Sequence, residues 1–100
     1  MIHNEFTQTV INIIKEIPMG KVLSYGTIAG MAGNPRGARQ VSWILHSVSR
    51  KYNLPWWRVV NSEGIITLRS AQERDSQRAK LEQEGVEFIE DYRINLDQHY

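Results

Sequence analysis

The chain of 100 residues contains no cysteine, only three prolines and no long run of apolar residues. Without cysteine it can form neither disulfides nor thiolate metal sites, and it has no thiol nucleophile. This composition is typical of a reducing compartment, so we expect the cytoplasm or the nucleus. Residues 1–16 lack the layout of a signal peptide, and no segment reaches the ~18 apolar residues of a membrane span. We therefore expect no membrane association.

Carboxylates are also missing from one long stretch. Between Glu16 and Glu63 there are six Lys or Arg residues and not one Asp or Glu. Residues 1–70 carry eight basic and three acidic residues, whereas residues 71–100 carry four basic and eight acidic ones. This polarisation is expected when the basic part faces a polyanion, although a chance distribution is the alternative. The acidic part is either a solvated surface or a docking face.

The length of 100 residues and the 41% of hydrophobic positions predict a single small domain over residues 1–100. Apolar residues recur with helical spacing over residues 6–17, where Pro18 ends the first helix. A last helix is predicted over residues 71–84, with Ser70 as its N-cap and Gly85 after its end.

Two further helices are separated by a tight turn. Ser24 is a plausible N-cap for a short helix over residues 25–32, which Gly33 terminates. Asn34 followed by proline predicts a third helix over residues 35–48. Two helices joined by so short a turn indicate a helix-turn-helix.

Two β-prone runs lie beyond the third helix, at residues 58–60 and 65–68, around a turn of polar residues and glycine at 61–64. This spacing predicts a β-hairpin, the wing of a winged helix. Residues 86–100 are predicted to be an irregular tail. The expected fold class is therefore α+β and mostly α, a winged-helix-like domain with a helix-turn-helix and a short β-hairpin wing.

The third helix has two distinct faces. Its core face is apolar and comprises Ala38, Val41, Ile44, Leu45 and Val48. Its opposite face is cationic and aromatic and comprises Arg36, Arg39, Trp43 and His46. The second helix of a helix-turn-helix is the element that enters a DNA groove, so we expect this face to contact DNA. A solvated basic surface is the alternative.

Two adjacent tryptophans, Trp56 and Trp57, follow Pro55. Neighbouring side chains in an extended chain point in opposite directions, so one ring can be buried while the other lines a cleft. An exposed indole is a stacking platform for a base, whereas packing of both rings in the core is the alternative.

Three blocks of sequence, at residues 20–29, 33–41 and 55–61, together resemble the DNA-binding domain of O6-alkylguanine-DNA alkyltransferases. The blocks read GKVLSYGTIA, GNPRGARQV and PWWRVVN. The absence of cysteine resembles the non-enzymatic relatives of these enzymes, the alkyltransferase-like proteins. The resemblance spans about residues 4–90.

The resemblance implies binding in the minor groove of duplex DNA and rotation of a damaged nucleotide out of the stack. Arg39 matches the arginine that fills the gap, and Tyr25 matches the tyrosine that crowds the phosphate 3′ to the target. Extrusion costs least for a poorly paired base, which favours O6-alkylguanine. The residues that the resemblance assigns to DNA binding are Tyr25, Thr27, Arg36, Gly37, Ala38, Arg39, Gln40 and Ser47.

The resemblance also implies a pocket for the extruded base. Trp56 stands where the enzymes have their nucleophilic cysteine, and an indole cannot accept an alkyl group under these conditions, so we expect no enzymatic activity. Trp57 replaces a histidine of the enzymes, and Arg78 is expected where they place the glutamate that partners it. The residues that match the pocket lining are Tyr25, Trp56, Val59, Arg69 and Ser70.

The expected function is that of a damage sensor that binds O6-alkylguanine and flags it for nucleotide excision repair proteins. We expect a monomer without metal or cofactor, associated with the nucleoid if the source is bacterial. The main alternative is a winged-helix transcriptional regulator that binds DNA without lesion specificity. A glycosylase would need an activated base or nucleophile, and a protein-interaction module would bind DNA negligibly.

Overall fold

The computed structural model describes residues 4–100, so the first three residues of the predicted domain lie outside it. The chain forms five α-helices and two small sheets within this range. The helices are α1 Glu5–Lys15, α2 Tyr25–Met31, α3 Ala38–Val48, α4 Ala71–Gln83 and α5 Leu96–His99. The strands are β1 Leu23–Ser24, β2 Val59–Val60, β3 Phe88–Glu90 and β4 Arg93–Ile94, and a short 3-10 helix covers Trp56–Arg58. No helix in residues 4–100 has the length and apolar character needed to cross a membrane.

The predicted helix-turn-helix is present, and the residues of its turn form hydrogen bonds to the last carbonyls of α2. Gly33 adopts a left-handed φ of 95°. The Asn34 N–H then donates to the Ala29 carbonyl over 2.9 Å, and the Gly33 N–H donates to the Gly30 carbonyl over 3.0 Å. This pair of bonds is a Schellman motif, which satisfies the last carbonyls of the helix. It reverses the chain directly into the approach to α3.

The third helix begins three residues later than predicted, at Ala38 rather than Pro35. The Asn34 side chain accepts the Arg36 N–H over 3.3 Å, and its carbonyl accepts the Gly37 N–H over 2.9 Å. Asparagine thus forms a turn of its own in competition with the first helical turn. Gly37 is packed so tightly that a Cβ there would lie 3.0 Å from the Phe6 ring. A larger residue at this position would therefore have to displace the Phe6 ring and the Asn34 turn by a few tenths of an ångström.

The predicted hairpin of residues 58–60 with 65–68 is wrong. Strand β2 pairs in parallel with β1, with Leu23 opposite Val59 and Ser24 opposite Val60. The Asn61 side chain closes a turn by accepting the Ile65 N–H over 2.8 Å. The chain then leaves β2, and Ile65 bridges to Arg93 instead. The hairpin of the α+β fold is formed by β3 and β4.

The prediction of an irregular tail over residues 86–100 is also wrong. Val86 and Ile94 are buried, and they pack with Val22, Ile66 and Leu81 in a second hydrophobic cluster. The first cluster lies among α1, α2 and α3. The β1–β2 ribbon separates the two clusters, because Val59 points to the first and Val60 to the second. The tail was missed because its two runs of alternating apolar and polar residues, at 86–88 and 92–96, are too short to stand out as strands.

Helix α4 matches its prediction closely. The Ser70 hydroxyl accepts the Glu73 N–H over 3.0 Å at the N-terminus, and Gly85 follows the helix with a φ of 86°. Only Gln77 and Leu81 of this helix are buried. The buried glutamine faces the site described next.

Candidate nucleic-acid interface and base cavity

The exposed side of α3 carries the residues that its periodicity predicts. Arg39 and His46 are exposed, and 73% of Trp43 is accessible to solvent, while Val41, Ile44 and Leu45 are buried. Gln40, Ser47 and Arg36 are exposed on the same helix or in the turn before it. The structure therefore brings four of the eight residues assigned to DNA binding, Arg36, Arg39, Gln40 and Ser47, to one surface, whereas Gly37 is buried.

Two concavities adjoin this surface. The inner cavity has a volume of about 430 Å³ and reaches the Trp56 ring. Its lining comes from α2, α3, the 3-10 helix, the loop before α4, and α4 itself: Tyr25, Ser42, Leu45, His46, Ser49, Trp56, Leu68, Gln72, Glu73, Ser76 and Gln77. The outer groove lies over α3 and is lined by Tyr25, Ala38, Arg39, Ser42, Trp43, His46, Asn61, Thr67, Leu68, Arg69 and Glu73.

The inner cavity and the outer groove adjoin each other, because they share five lining residues. These are Tyr25, Ser42, His46, Leu68 and Glu73. Burial raises the pKa of the Tyr25 hydroxyl above its ordinary value of 10.0. The hydroxyl is therefore a protonated hydrogen-bond donor at neutral pH.

The predicted pocket residues do not all line the inner cavity. Tyr25 and Trp56 do, whereas Arg69 lines the outer groove. The Val59 side chain is buried in the first hydrophobic cluster, and the Ser70 hydroxyl caps α4. Thr27, predicted to bind DNA, has its hydroxyl in contact with those of Ser24 and Tyr100.

Four polar residues of α4 were not predicted in the lining: Gln72, Glu73, Ser76 and Gln77. They occur as two adjacent pairs four positions apart, which places them on one face of a helix. The sequence therefore contains a signal for a polar face of α4 that lines the cavity. It was overlooked because the helix has few apolar residues that would indicate which face is buried.

The rings of Trp56 and Trp57 lie in different environments. Both rings are half-buried and meet edge to face, with centroids 5.9 Å apart and planes at 86°. Trp56 lines the inner cavity. The Trp57 ring lies beneath the cations of Arg58 and Lys80, with charge-to-centroid distances of 5.5 and 5.1 Å. Trp56 thus lines a cavity as predicted, but the prediction of a buried second ring in an extended chain is wrong, because both residues lie in the 3-10 helix and neither is buried.

A carboxylate partners Trp57, contrary to the expectation that Arg78 takes that position. The Trp57 indole Nε1 donates to Glu84 Oε2 over 2.8 Å, and Arg58 Nη2 donates to the same oxygen over 2.7 Å. Arg78 instead contacts the Asp91 carbonyl and pairs with Glu82 over 3.4 Å. Glu84 was missed because it lies directly before Gly85, at the C-cap of α4, rather than within the helix.

Arg58 consequently does not belong to the basic surface that the charge pattern predicts. Only 14% of its side chain is exposed, and its Nη1 donates to the Ile17 carbonyl over 2.8 Å. Burial alone would raise the pKa of Glu84, but hydrogen bonds from Arg58, Trp57 and the Gly20 N–H lower it overall. The pair is therefore ionised and structural.

Comparison with known proteins agrees with this geometry. Residues 5–86 match the family described as the DNA-binding domain of 6-O-methylguanine DNA methyltransferase. A DNA base-flipping protein of Vibrio parahaemolyticus is 43% identical over 93 residues, which cover 93% of this chain and 92% of the relative. Alkyltransferase-like protein 1 of Schizosaccharomyces pombe is 38% identical over 101 aligned residues, covering 96% and 94%.

A solved structure is similar over the whole chain. The crystal structure of S. pombe Atl1 in complex with damaged DNA containing O6-carboxymethylguanine superposes with a TM-score of 0.85. The two sequences are 37% identical, and the match covers 100% of this chain and 98% of the other. With the family match and these relatives together, the chain belongs to the alkyltransferase-like proteins, which share the DNA-binding domain of 6-O-methylguanine DNA methyltransferase.

Proposed function

We propose that this chain is a non-enzymatic sensor of DNA damage that binds O6-alkylguanine in duplex DNA. The exposed face of α3 lies in the minor groove, and Arg39 fills the gap that the extruded nucleotide leaves in the stack. The damaged base passes along the outer groove into the inner cavity and comes to rest near Trp56. The bound protein then flags the site for nucleotide excision repair proteins.

The observation that carries this proposal is that the outer groove, which Arg39 lines, adjoins the inner cavity, which Trp56 lines. The inner cavity of about 430 Å³ lies within the range of small-ligand sites. An O6-alkylated guanine pairs poorly with cytosine, so its extrusion has a lower free-energy cost. The S. pombe relative that binds damaged DNA supports the assignment of the lesion class.

The absence of cysteine supports the non-enzymatic part of the proposal. Removal of an alkyl group from O6 needs a strong nucleophile such as a thiolate, and the indole of Trp56 is not one. The base is thus held without being repaired, and repair requires other proteins. We further propose that the chain acts as a monomer and, in a bacterium, in association with the nucleoid.

The test is equilibrium binding to a short duplex that carries one O6-methylguanine and to the identical unmodified duplex. We expect the lesion duplex to bind more than tenfold tighter, which corresponds to more than about 1.4 kcal/mol. After incubation, mass spectrometry of protein and DNA is expected to show the methyl group still on the guanine.

Equal affinity for the two duplexes would contradict damage recognition. Dependence on base sequence alone would then favour the transcriptional-regulator alternative. A methyl group transferred to the protein would contradict the non-enzymatic assignment, and release of free base would indicate a glycosylase. An excision-repair incision assay on the lesion duplex, with and without the protein, tests the link to repair.

A further inference from the structure

The largest side chain on the exposed face of α3 has no role in the function proposed above. Trp43 is 73% accessible to solvent, which makes it the most exposed large hydrophobic residue that the structure describes. Among residues 4–100 its indole has no hydrogen-bond, stacking or cation partner, whereas the rings of Trp56 and Trp57 contact each other. A tryptophan carries a large, rigid apolar surface, and here most of that surface is open.

The position of Trp43 relates it to Arg39. The two residues are four positions apart on α3, a spacing that places their side chains next to each other on one face of a helix. Both line the outer groove, together with the basic side chains of His46 and Arg69. An aromatic ring among basic side chains is the composition of a surface that binds nucleic acid by stacking as well as by charge.

The width of the minor groove gives this ring a task. An α-helix with its side chains is about 10–12 Å in diameter, whereas the minor groove of B-DNA is about 6 Å wide. The exposed face of α3 can therefore lie in the groove only if the DNA opens. Proteins that open this groove commonly insert an apolar side chain between base pairs, which partly unstacks them and bends the duplex. Trp43 is the one large apolar side chain that α3 exposes.

The dimensions of the two helices indicate where such a wedge acts. Four residues of α-helix advance about 6 Å along its axis. Successive base pairs of DNA are about 3.4 Å apart. Along a groove that follows the helix axis, Trp43 is thus one to two base pairs away from the gap that Arg39 fills. This position corresponds to the first intact base-pair step beside the extruded nucleotide.

We infer that Trp43 is a specificity-determining residue, whose indole enters the minor groove as a wedge at the intact base-pair step next to the extruded nucleotide. This inference rests on the proposed function. The free energy of opening a step depends on its sequence, because pyrimidine–purine steps such as TA unstack easily, whereas AA steps are stiff. Trp43 therefore makes the affinity for one and the same lesion depend on the neighbouring base sequence.

The test places one lesion in two neighbouring sequences. The duplexes contain 5′-TAXTA or 5′-AAXTT, where X is O6-methylguanine, so they differ only by inversion of one base pair on each side. Each is also prepared with unmodified guanine at X. Affinity is measured at equilibrium, and the bend is measured by energy transfer between dyes at the two ends of the duplex.

The protein is studied as the full chain and as three variants, Trp43→Ala, Trp43→Phe and Met31→Ala. Met31→Ala is the control, because it removes another exposed apolar side chain, one that lines neither the outer groove nor the inner cavity. Since Trp43 and Met31 are both exposed, none of these substitutions changes the core.

The parent and Met31→Ala are expected to bind the lesion in TAXTA at least about threefold tighter than in AAXTT, because the TA step opens at a lower free-energy cost. In Trp43→Ala the affinity for TAXTA is expected to fall about tenfold, the effect of one lost stacking contact. The ratio between the two sequences falls to about one in this variant, and the bend decreases. Trp43→Phe keeps a flat ring and is expected to retain part of the ratio and of the bend.

A parent that prefers each lesion duplex over its unmodified counterpart but binds TAXTA and AAXTT equally would overturn the inference and leave the proposed function intact. An unchanged ratio in Trp43→Ala would also overturn it, because the dependence on sequence would then come from the DNA or from another side chain. A parent without preference for either lesion duplex over unmodified DNA contradicts the proposed function itself.

Discussion

Arg39 and Trp56 act at different points of the proposed pathway, although they line adjoining concavities. Arg39 lies in the outer groove, where it can replace a base in the stack, and Trp56 lies in the inner cavity, where it can only hold a base. Arg39 is exposed, so its replacement leaves the core unchanged. The two roles can therefore be separated by mutation.

We expect Arg39→Ala to reduce the affinity for an O6-methylguanine duplex at least tenfold, because the extruded state loses the group that fills the stack. The unmodified duplex should lose much less affinity, since its stack has no gap. The matched control is Arg50→Ala, which removes the same charge from an exposed position after α3. The prediction is wrong if the two variants have the same ratio of lesion to unmodified binding.

Trp56→Cys alone is expected to transfer no methyl group, because Trp57 stands where the enzymes have the histidine that generates the thiolate. The double variant Trp56→Cys/Trp57→His is expected to transfer slowly. Glu84, which bonds the Trp57 indole over 2.8 Å, is positioned to orient an imidazole in the same place. Transfer is followed as the mass gain of the protein after incubation with the lesion duplex. The control is Trp56→Cys/Trp57→Phe, and equal transfer by this variant would exclude a role for the histidine.

At the scale of elements, Glu84 joins the end of α4 to two other segments. Its carboxylate accepts from Arg58, Trp57 and the Gly20 N–H, and thereby joins α4 to the 3-10 helix and to the loop before β1. The same segment carries Trp56, and Gln77 reaches it from the middle of α4. The cavity wall and the ion pair are thus parts of one connected arrangement.

The stability of the fold should depend on the ionisation of Glu84. Its pKa in the folded protein lies below the ordinary value of 4.5, so its contribution is present above about that pH and disappears as the pH falls through the lowered pKa. Loss of one partner of a largely buried pair costs roughly 3 kcal/mol. We therefore expect Glu84→Gln to be less stable than the parent at pH 7, and the difference to shrink towards pH 3.

Urea denaturation at a series of pH values measures this effect. The control is Glu87→Gln, which removes a carboxylate from an exposed side chain close by. The control should follow the pH dependence of the parent. A difference between Glu84→Gln and the parent that stays constant from pH 7 to pH 3 would show that the Glu84 charge does not stabilise the fold.

The elements that could be predicted from the sequence are those with local signals at their ends. Ser24 and Ser70 cap helices at the predicted positions, and α3 has the predicted buried face. The pairing of β2 with β1 could not be predicted, since two-residue strands have no periodicity of their own. Glu84 could not be predicted as the partner of Trp57 either, because this contact depends on how α4 packs against the 3-10 helix.

The candidate site was predictable on the exposed face of α3 and less so in the inner cavity. Arg39 and Trp43 follow from helical periodicity, and Trp56 follows from the resemblance to a known family. Gln77 was not predicted because a glutamine in a polar helix has no distinguishing feature in the sequence. Its position in the cavity wall is fixed by burial and by hydrogen bonds to two carbonyls that are distant in the chain.

At the scale of the whole molecule, the described chain measures 38 × 25 × 23 Å, and its basic and acidic residues concentrate in different parts of the sequence. The stretch without carboxylates, residues 17–62, supplies α2, α3 and the tryptophan pair, whereas the acidic residues concentrate after residue 70. Glu73 belongs to this acidic part of the sequence, yet it lines both the outer groove and the inner cavity beside the basic surface. A negative group at that point repels phosphate but not a neutral base, which favours entry of the base alone.

Affinity and lesion preference should therefore respond differently to salt. Contacts to phosphate release counterions, so a surface that neutralises roughly three phosphates gives a slope of log K against log salt near −3. Contacts to a neutral base in the inner cavity release none. We expect both duplexes to lose affinity with this slope between 50 and 200 mM salt, while their affinity ratio changes less than about twofold.

Arg36→Ala provides the control for this salt dependence, since Arg36 is exposed in the turn before α3 and lines neither concavity. Its replacement should make the slope shallower by about one for both duplexes, because one phosphate contact is lost. The affinity ratio should stay the same, because the cavity is unchanged. If the ratio instead falls steeply with salt, the preference for the lesion comes from additional phosphate contacts on distorted DNA, and the inner cavity is not what recognises the base.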